Sequence, residues 1–170
     1  MANALRASEL SDAELQTLAT GIKASTDPVV VAALAIRDDV TLQKWCNANA
    51  SPVVKCWRES VQPQEMDEAP DYTVFDAISA GKRDSWGYLL RYARDFSKQK
   101  FRKWVTDVWG SATAGSSAES ILLAGTENMR AVEKIMGPGT LATTGTVSAN
   151  KRDWTGTVSI TEVSTALNRF

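Results

Sequence analysis

The sequence predicts a mainly α protein: a single-domain helical bundle with a C-terminal β-hairpin and a short terminal helix. Three observations lead to this fold class. Apolar residues recur at helical spacing up to residue 136, capping residues precede these segments, and beyond Gly139 the composition shifts to Thr, Ser, Gly and Val. With 170 residues, 44% of them hydrophobic, the chain is long enough to bury one core. We therefore predict a helical body over 1–139 and an arm or docking element over 140–170.

Two helices are predicted at the start of the chain. Ser11 and Glu14 form a capping box ahead of an apolar stripe, which predicts a first helix over residues 11–24. An Asp-Pro pair at 27–28 then opens a second helix that runs through Ile36. Asp caps free backbone amides, and Pro is tolerated at the first helical position.

A third and a fourth helix are predicted before an acidic segment. Asp38 or Asp39 caps the third helix, which directs apolar side chains inward. The Ser-Pro pair at 51–52 repeats the capping arrangement and predicts a fourth helix around 54–60. Prolines then flank an acidic stretch over 65–71, which we interpret as a short exposed helix or loop.

The middle of the chain shows the clearest helical periodicity. Two sets of apolar residues, each at i, i+3, i+4 and i+7, predict two amphipathic helices that join near Phe96. Another capping box, Ser116 with Glu119, opens a longer helix that should end at Gly137. The residues of the two apolar sets are Trp86, Leu89, Leu90 and Ala93, followed by Phe101, Trp104, Val105 and Val108.

After that helix the pattern changes to strand. Apolar and polar residues alternate over 144–148 and again over 154–158, on either side of a polar turn at 150–153, which predicts one β-hairpin. A lone hairpin is marginally stable in water, so we expect it to lean on the helical body or on a neighbouring subunit. A capping box at 159–162 then starts a terminal helix through Leu167.

Charge is distributed unevenly along the chain. Residues 1–76 carry twelve acidic and six basic side chains, whereas residues 82–103 carry eight basic and two acidic ones. The net charge of −1 therefore conceals two segments of opposite sign. Opposite charges attract, so this distribution favours head-to-tail association between copies of the chain.

The residue types present argue against catalysis. The chain has no histidine, which is the commonest general base and a frequent metal ligand. No Ser-x-x-Lys arrangement with further context replaces it. The Gly-Pro-Gly run at 137–139 follows a helix and lacks the Gly-Lys-Ser/Thr end of a phosphate loop, so we interpret it as a helix stop. We therefore predict a protein that is not an enzyme and that carries no cofactor or metal.

Three further features of the sequence are predicted to be structural. Cys46 and Cys56 lack partner ligands for zinc and are predicted to be reduced thiols in or near the core. The dense apolar run over 29–36 is too short to span a membrane, which takes about 20 residues, and residues 1–9 lack a secretory signal. We expect a cytoplasmic origin and no membrane partner. Four carboxylates do not match a calcium loop and are predicted to form a solvated acidic face: Glu65, Asp67, Glu68 and Asp71.

The basic segment combines positive charge with aromatic side chains. We favour an interface with an acidic partner protein, or with the 59–76 region of the next copy, over contact with DNA or an ordinary solvated face. Tyr88 and Tyr92 lie off the apolar stripe and are therefore predicted to be free for contact. The predicted interface residues here are Lys82, Arg83, Tyr88, Arg91, Tyr92, Arg94, Lys98, Lys100, Arg102 and Lys103, and in the arm Lys151, Arg152 and Trp154.

Two segments resemble a known family. The stretch Ala50-Ser51-Pro52 through Trp57-Arg58 to Ser60-Val61, and the Thr/Gly-rich residues 142–146 and 154–158 before the final helix, are similar to small proteins encoded in the virion-structure gene clusters of tailed bacteriophages. Together these segments comprise about an eighth of the chain, and they occur in the same order as in that family.

The resemblance implies a non-enzymatic neck protein: a head-completion or head-to-tail adaptor protein that assembles as a ring on the portal of the virion. The implied partners are other copies of the chain, the portal and tail or neck proteins, and the packaged DNA, with assembly in the host cytoplasm. The alternatives are another virion component, such as a capsid decoration or tail-completion protein, and a small DNA-binding module. If 140–170 is a docking arm, deletion of Thr143 to Phe170 should leave a folded body that fails to join particles.

Overall fold

A computed structural model describes residues 10–170 of the protein. The fold is mainly α, as predicted, with a small mixed sheet. In the described part of the chain the helices are α1 (Asp12–Lys23), α2 (Pro28–Ile36), α3 (Asp39–Asn47), α4 (Pro63–Asp67), α5 (Ala80–Leu89), α6 (Gln99–Trp109), α7 (Ser117–Ala124), α8 (Ala131–Met136) and α9 (Ile160–Arg169), with a 3-10 helix at Tyr72–Ala77. The strands are β1 (Lys55–Trp57), β2 (Thr126–Asn128), β3 (Thr140–Thr144) and β4 (Val147–Lys151). The predicted lack of a secretory signal in residues 1–9 lies outside the described residues.

The described chain divides into two compact units, where the sequence predicted one bundle with an arm. Neither unit corresponds to the predicted body (1–139) or arm (140–170). The C-terminal residues supply two strands to the second unit and a helix to the first, because each segment completes a hydrophobic core formed by distant parts of the chain. The first unit contains the described residues up to Pro52 with 130–138 and 154–170, and the second contains 53–129 and 139–153.

The first unit is helical. Helices α1, α2, α3, α8 and α9 enclose a core that includes Leu18, Ile22, Leu42, Val132 and Val163, all fully buried. The predicted N-termini of its helices are confirmed. α1 and α9 begin with complete capping boxes, and α2 and α3 begin with aspartate caps whose side chains accept backbone N–H groups. Local capping chemistry therefore determines where each of these helices begins.

The second unit contains the sheet, with the strand order β2-β1-β4-β3. β1 pairs antiparallel with β2, and β3 pairs antiparallel with β4, whereas β1 and β4 run parallel. Trp57 on β1 is fully buried, and its Nε1 donates to the carbonyl oxygen of Ala142 on β3 at 3.0 Å. Helices α5, α6 and α7 contribute Trp86, Val105 and Ile121 to the same core.

The predicted fourth helix is wrong: residues 55–57 form β1. Its three residues pair with β2 through Cys56 and Glu127, and with β4 through Cys56 and Asn150. Both partners lie more than 70 positions along the chain. Pairing with such distant segments outweighs the local capping signal. A strand of only three residues also shows no sequence pattern from which this pairing could be predicted.

The long helix predicted between Ser116 and Gly137 is interrupted. Its capping residue is confirmed, because the Ser116 side chain accepts the Glu119 N–H, but α7 ends at Ala124 with Gly125 as its C-cap, and α8 begins at Ala131. The glycine is held directly against the ring of Phe96, where a Cβ has no room. The residues that follow Gly125 form β2, which pairs with β1. Apolar residues of this segment nevertheless face inward, since Ile121, Leu122, Met129 and Val132 are buried and Met136 is partly buried.

The predicted hairpin lies at the wrong position. The strands are β3 and β4, the turn between them is at Gly145 and Thr146, and residues 154–158 form no strand. Gly145 has φ +60° and its Cα packs against the backbone of Ala112, a conformation and a closeness that favour glycine. The alternation of apolar and polar residues has the same two-residue period in every register of the hairpin. The position of the turn therefore determines the register, and the alternation does not.

Candidate functional site

The predicted basic segment lies on α5, α6 and the connection between them, and it presents an exposed aromatic cluster. Tyr88 is 48% exposed and Tyr92 is 64% exposed, which confirms that both stand outside the core. Phe101 and Trp104, which were predicted to be buried, are only partly so. We call the following group the basic–aromatic surface: Tyr88, Arg91, Tyr92, Arg94, Lys100, Phe101 and Trp104.

Arg94 lies at the centre of this surface. Its Nε and Nη2 donate to the carbonyl oxygens of Leu89 and Tyr88 at 2.9 and 2.7 Å. Its guanidinium carbon lies between 5.5 and 5.7 Å from the ring centroids of Tyr88, Tyr92 and Phe101. The two hydrogen bonds fix the guanidinium, and the fixed guanidinium attracts the faces of the rings around it. Arg94 therefore organises the surface.

Two further cations lie over the rings at the edge of the cluster. The guanidinium carbon of Arg91 is 5.5 Å from the Tyr88 centroid, and the Lys100 Nζ is 4.9 Å from the Phe101 centroid. Both cations are exposed, and neither forms a salt bridge with another residue in the range 10–170. Their charge is available to a binding partner.

Three other cations of the basic segment have acidic neighbours. Arg83 pairs with Asp76 at 3.2 Å, Lys98 with Asp95 at 3.0 Å, and Lys103 with Asp107 at 2.7 Å. Arg83–Asp76 is the one ion pair in the described chain that joins the 59–76 region to the 82–103 segment. Lys82 is exposed as predicted. Folding therefore leaves the charges of the two segments largely unpaired with each other.

Arg102 was predicted to be an interface residue, but it is buried, since it is only 4% exposed. Its Nη1 donates to the carbonyl oxygens of Phe96 and Ser97 at 2.6 and 2.9 Å, and its Nε donates to Thr144 Oγ1 at 3.1 Å. The guanidinium carbon also lies 4.7 Å from the Trp57 ring centroid. Burial lowers the pKa of Arg102, and nearby Asp95 acts in the opposite direction. A single arginine inside a basic run gave no sequence signal of this structural role.

The predicted acidic face is present but part of its charge is engaged. Glu65 accepts two hydrogen bonds from Arg58 at 2.6 and 3.0 Å, and this contact lowers the pKa of Glu65. Asp67 accepts the hydroxyl of Tyr72. The Asp71 carboxylate caps the 3-10 helix through Thr73, which lowers the pKa of Asp71. The exposed carboxylates of this acidic region are Glu59, Asp67, Glu68, Asp71 and Asp76.

Two of the three interface residues predicted in the arm, Arg152 and Trp154, contact other parts of the fold instead. The Arg152 side chain is 12% exposed and pairs with Glu127 at 2.7 Å across the sheet of the second unit. Trp154 packs against the core of the first unit, and its Nε1 donates to Glu14 at 3.3 Å. Both side chains are long enough to contact elements that are distant in the sequence, and both contacts stabilise the fold. Lys151 is exposed at the end of β4.

Further observations on the described residues concern thiols, metals and membranes. Cys46 and Cys56 are buried thiols, which confirms their predicted place in the core, and burial raises the pKa of Cys46 to about 12. No group of three or more acidic or cysteine side chains is arranged to hold a metal ion within 10–170. In the same range no single helix is long and apolar enough to cross a membrane, although α1 and α2, bent by 112°, reach that length together.

No protein-family model matches the chain. Searches of the curated proteins and of the solved structures also found no match.

We expect the protein to lose stability in acid partly through Glu65. Its pKa is lowered in the folded state from an ordinary value of 4.5. The resulting stabilisation is present above the unfolded-state pKa and is lost as the pH falls through the folded-state pKa. Urea unfolding between pH 7 and pH 3, values that bracket a glutamate pKa of about 4.3, should show a smaller loss for Glu65→Gln than for wild type. Glu59→Gln, which removes an exposed carboxylate of the same region, should follow wild type; equal acid losses in all three proteins would contradict this assignment.

Proposed function

We propose that this protein is a non-enzymatic structural component of a tailed bacteriophage particle, a head-to-tail adaptor or head-completion protein of the neck that assembles as a ring on the portal. The observation that carries the proposal is the basic–aromatic surface. It supplies Tyr, Trp and Arg side chains, which are enriched at protein interfaces and at their energetic hot spots. The resemblance of residues 50–61 and of the Thr/Gly-rich tail to phage virion proteins supports the same assignment.

The charge distribution supports contact between copies in a ring. Ring neighbours meet through two different faces of the same chain. The basic–aromatic surface carries Arg91 and Lys100, and the 59–76 region exposes carboxylates such as Glu68 and Asp71. Complementary faces steer association and set the register between neighbours. We propose that the basic–aromatic surface of one copy binds the acidic region of the next, and that other acidic partners in the neck bind the same surface.

The test is negative-stain electron microscopy with mass photometry of the purified full chain at low and physiological salt. We expect closed rings or oligomers at low salt that loosen as salt rises, because exposed charges are screened. Arg91→Glu and Tyr92→Ala should each weaken association at least about tenfold, which corresponds to about 1.4 kcal/mol. Both side chains are exposed, so folding should be unaffected.

The matched control is Lys55→Glu, which makes the same reversal of charge at an exposed position on β1, outside the basic–aromatic surface. It should assemble like wild type. A wild-type protein that stays monomeric at every salt concentration would contradict assembly through charged faces. Equal weakening by Lys55→Glu and Arg91→Glu would contradict the specific role of the surface.

A second candidate function is DNA binding by the same surface, and the exposed Tyr88 and Tyr92 beside Arg91 favour it. Aromatic rings stack on bases, and nearby cations neutralise phosphates. Filter binding at two salt concentrations tests this candidate, because phosphate contacts weaken steeply with added salt. Salt-sensitive retention of DNA that Arg91→Glu abolishes would favour DNA over an acidic protein partner.

A further inference from the structure

Strand β3 is an open edge of the sheet in the second unit. The strand order places β4 on one side of it, and no other strand of the described residues 10–170 lies on its other side. Leu141 is 64% exposed, and Thr140 and Thr143 are exposed as well. A free edge presents unpaired backbone N–H and C=O groups, with which a strand of another chain can pair.

The turn of the hairpin determines which backbone groups of β3 face this edge. A two-residue turn with φ +60° at Gly145 joins β3 to β4, so the residues that flank it, Thr144 and Val147, exchange hydrogen bonds. Hydrogen-bonded and non-hydrogen-bonded pairs alternate along an antiparallel ladder. The N–H and C=O groups of Leu141 and Thr143 therefore point away from β4.

Two observations agree with this assignment. The hydroxyl oxygens of Thr143 and Ser148 are 2.8 Å apart, which is the close approach of side chains in a non-hydrogen-bonded pair. Within 10–170, no residue hydrogen-bonds the outward backbone groups of Leu141 or Thr143. The edge therefore offers the backbone donor and the backbone acceptor of each of these two residues.

The two edges of the sheet differ in their protection against pairing. β2, at the opposite edge, has only three residues, and its Glu127 carries a charge that pairs with Arg152 at 2.7 Å. β3 has five residues, none of them charged or proline, and its register with β4 is unbroken. Proteins protect unused edges with short strands, charges, prolines or bulges. The lack of these devices on β3 indicates an edge that is used for pairing.

The arrangement of the free groups fits a second copy of the same strand. Leu141 and Thr143 lie one residue before and one residue after Ala142. Two antiparallel β3 strands with Ala142 opposite Ala142 therefore place Leu141 of each copy opposite Thr143 of the other. Each of these two pairs exchanges two backbone hydrogen bonds, so every free group of both edges gains a partner.

The side chains of β3 also suit this pairing. Leu141 and Thr143 share the exposed face of the sheet, so the Leu141 side chains of the two copies stand diagonally across the contact, within reach of each other. A second copy brings the same charges as the first, and a strand without charges lets the two approach without repulsion. A basic or an acidic peptide would find no opposite charge on β3.

We propose that β3 is a two-fold contact between two copies of this chain, in which the strands pair antiparallel about Ala142 and join the two sheets into one. The contact is self-complementary, because both copies use the same edge. Backbone hydrogen bonds hold the strands together, and Leu141 adds an apolar contact. This contact differs from the proposed ring contact, which joins two different faces, and it does not depend on the proposed function.

The experiment is sedimentation velocity on the full chain from about 5 μM to about 500 μM, a range that suits the weak affinity of a small interface. The buffer contains about 1 M salt, where the Debye length is about 3 Å. Contacts between exposed charged faces are then suppressed, while backbone hydrogen bonds between strands persist. We expect the mass to rise from 18.5 kDa to twice that value.

Two variants should each weaken the dimer at least about tenfold. Leu141→Lys places like charges across the two-fold axis, and lysine is a residue that protects free edges in natural sheets. Thr143→Pro removes an outward N–H from each copy, and proline is tolerated at an edge position whose N–H faces solvent. Both positions are exposed, so circular dichroism and thermal melting should show that both variants stay folded.

The matched control is Leu123→Lys, the same substitution at a leucine of α7 that is 40% exposed and lies outside β3. It should dimerise like wild type. Arg91→Glu should also dimerise like wild type, which separates this contact from the ring contact.

Amide hydrogen exchange identifies the groups that pair. The amides of Leu141 and Thr143 should exchange at least about tenfold more slowly at the highest concentration than in dilute protein, because only the dimer bonds them. The Ala142 amide, which is bonded to β4, should be protected at both concentrations.

Three outcomes would overturn the proposal. The first is a wild type that stays monomeric over the whole concentration range. The second is a dimer that both variants leave intact and that leaves the Leu141 and Thr143 amides unprotected. The third is protection of both amides in the dilute monomer that disappears on removal of residues 2–9, which would assign the edge to the N-terminal segment of the same chain. A dimer that protects both amides, that both variants dissociate and that Leu123→Lys preserves establishes the two-fold contact.

Discussion

A chain truncated before Thr143 will not fold. The sequence alone suggested the opposite, namely that 143–170 is an arm that can be removed from a stable body. In the structure, β4 lies inside the sheet between β1 and β3, and α9 packs in the core of the first unit. The deletion therefore removes a central strand from one unit and a core helix from the other.

The size of this effect follows from the buried side chains that are lost. Val147, Val163 and Leu167 are at most 6% exposed. Burial of each such side chain contributes about 1.5–3 kcal/mol, so these three alone account for roughly 5–9 kcal/mol. The net stability of a whole domain is about 5–15 kcal/mol. The deletion should therefore remove cooperative unfolding altogether.

Circular dichroism and thermal melting of the truncated chain provide the measurement. Removal of Arg169 and Phe170 alone is the control, because both residues are exposed. That shorter truncation loses the exposed Arg169–Asp12 pair, which is worth at most about 1 kcal/mol, and it should still melt cooperatively. A cooperative melt of the chain that ends at residue 142 would show that the C-terminal segment is dispensable for folding.

Arg102→Ala should destabilise the protein by about 3–5 kcal/mol. The substitution leaves the buried carbonyl oxygens of Phe96 and Ser97 without their donor, and it opens a cavity beside Trp57. Unsatisfied buried acceptors and cavities are two of the mechanisms that produce large losses of stability. The free energy of unfolding from urea denaturation measures the effect.

The neighbouring lysine is the matched control. Lys103 is exposed and forms an i,i+4 pair with Asp107, so Lys103→Ala should cost only about 0.3–0.5 kcal/mol. Arg102→Lys keeps the charge but not the planar set of donors, so its loss should fall between the two. Equal losses for Arg102→Ala and Lys103→Ala would mean that Arg102 is a surface residue after all.

The structure determines which variants can test the proposed function. Because residues 143–170 are part of the fold, a truncation cannot separate assembly from folding. Point substitutions on exposed side chains can do so, and Arg91 and Tyr92 are the positions that the structure offers. Arg94 is unsuitable, since it bonds the backbone as well as the aromatic rings.

The candidate site was predictable in part. Helical periodicity separated Trp86, which is buried, from Tyr88 and Tyr92, which are exposed. Periodicity did not separate Arg102 from the lysines beside it, because charge alone does not tell a solvated side chain from one held by backbone carbonyl oxygens. The reason lies in Phe96, Ser97 and Thr144, the last of them 42 positions away.

The sequence by itself determined the helices that have their own caps. Ser11, Asp27, Ser116 and Ser159 all begin helices where predicted, because a cap and its helix lie within a few residues of each other. The apolar character of α2 was also plain from its composition, although its exposure was not.

Only the tertiary structure decided the sheet, the two units and the role of the C-terminal segment. β1 and β2 have three residues each and gain their stability from partners far along the chain. The hairpin register depended on Gly145 against Ala112, and the end of α7 on Gly125 against Phe96. Such contacts join residues that are distant in sequence, so no local pattern records them, whereas capping and periodicity act within one or two helical turns.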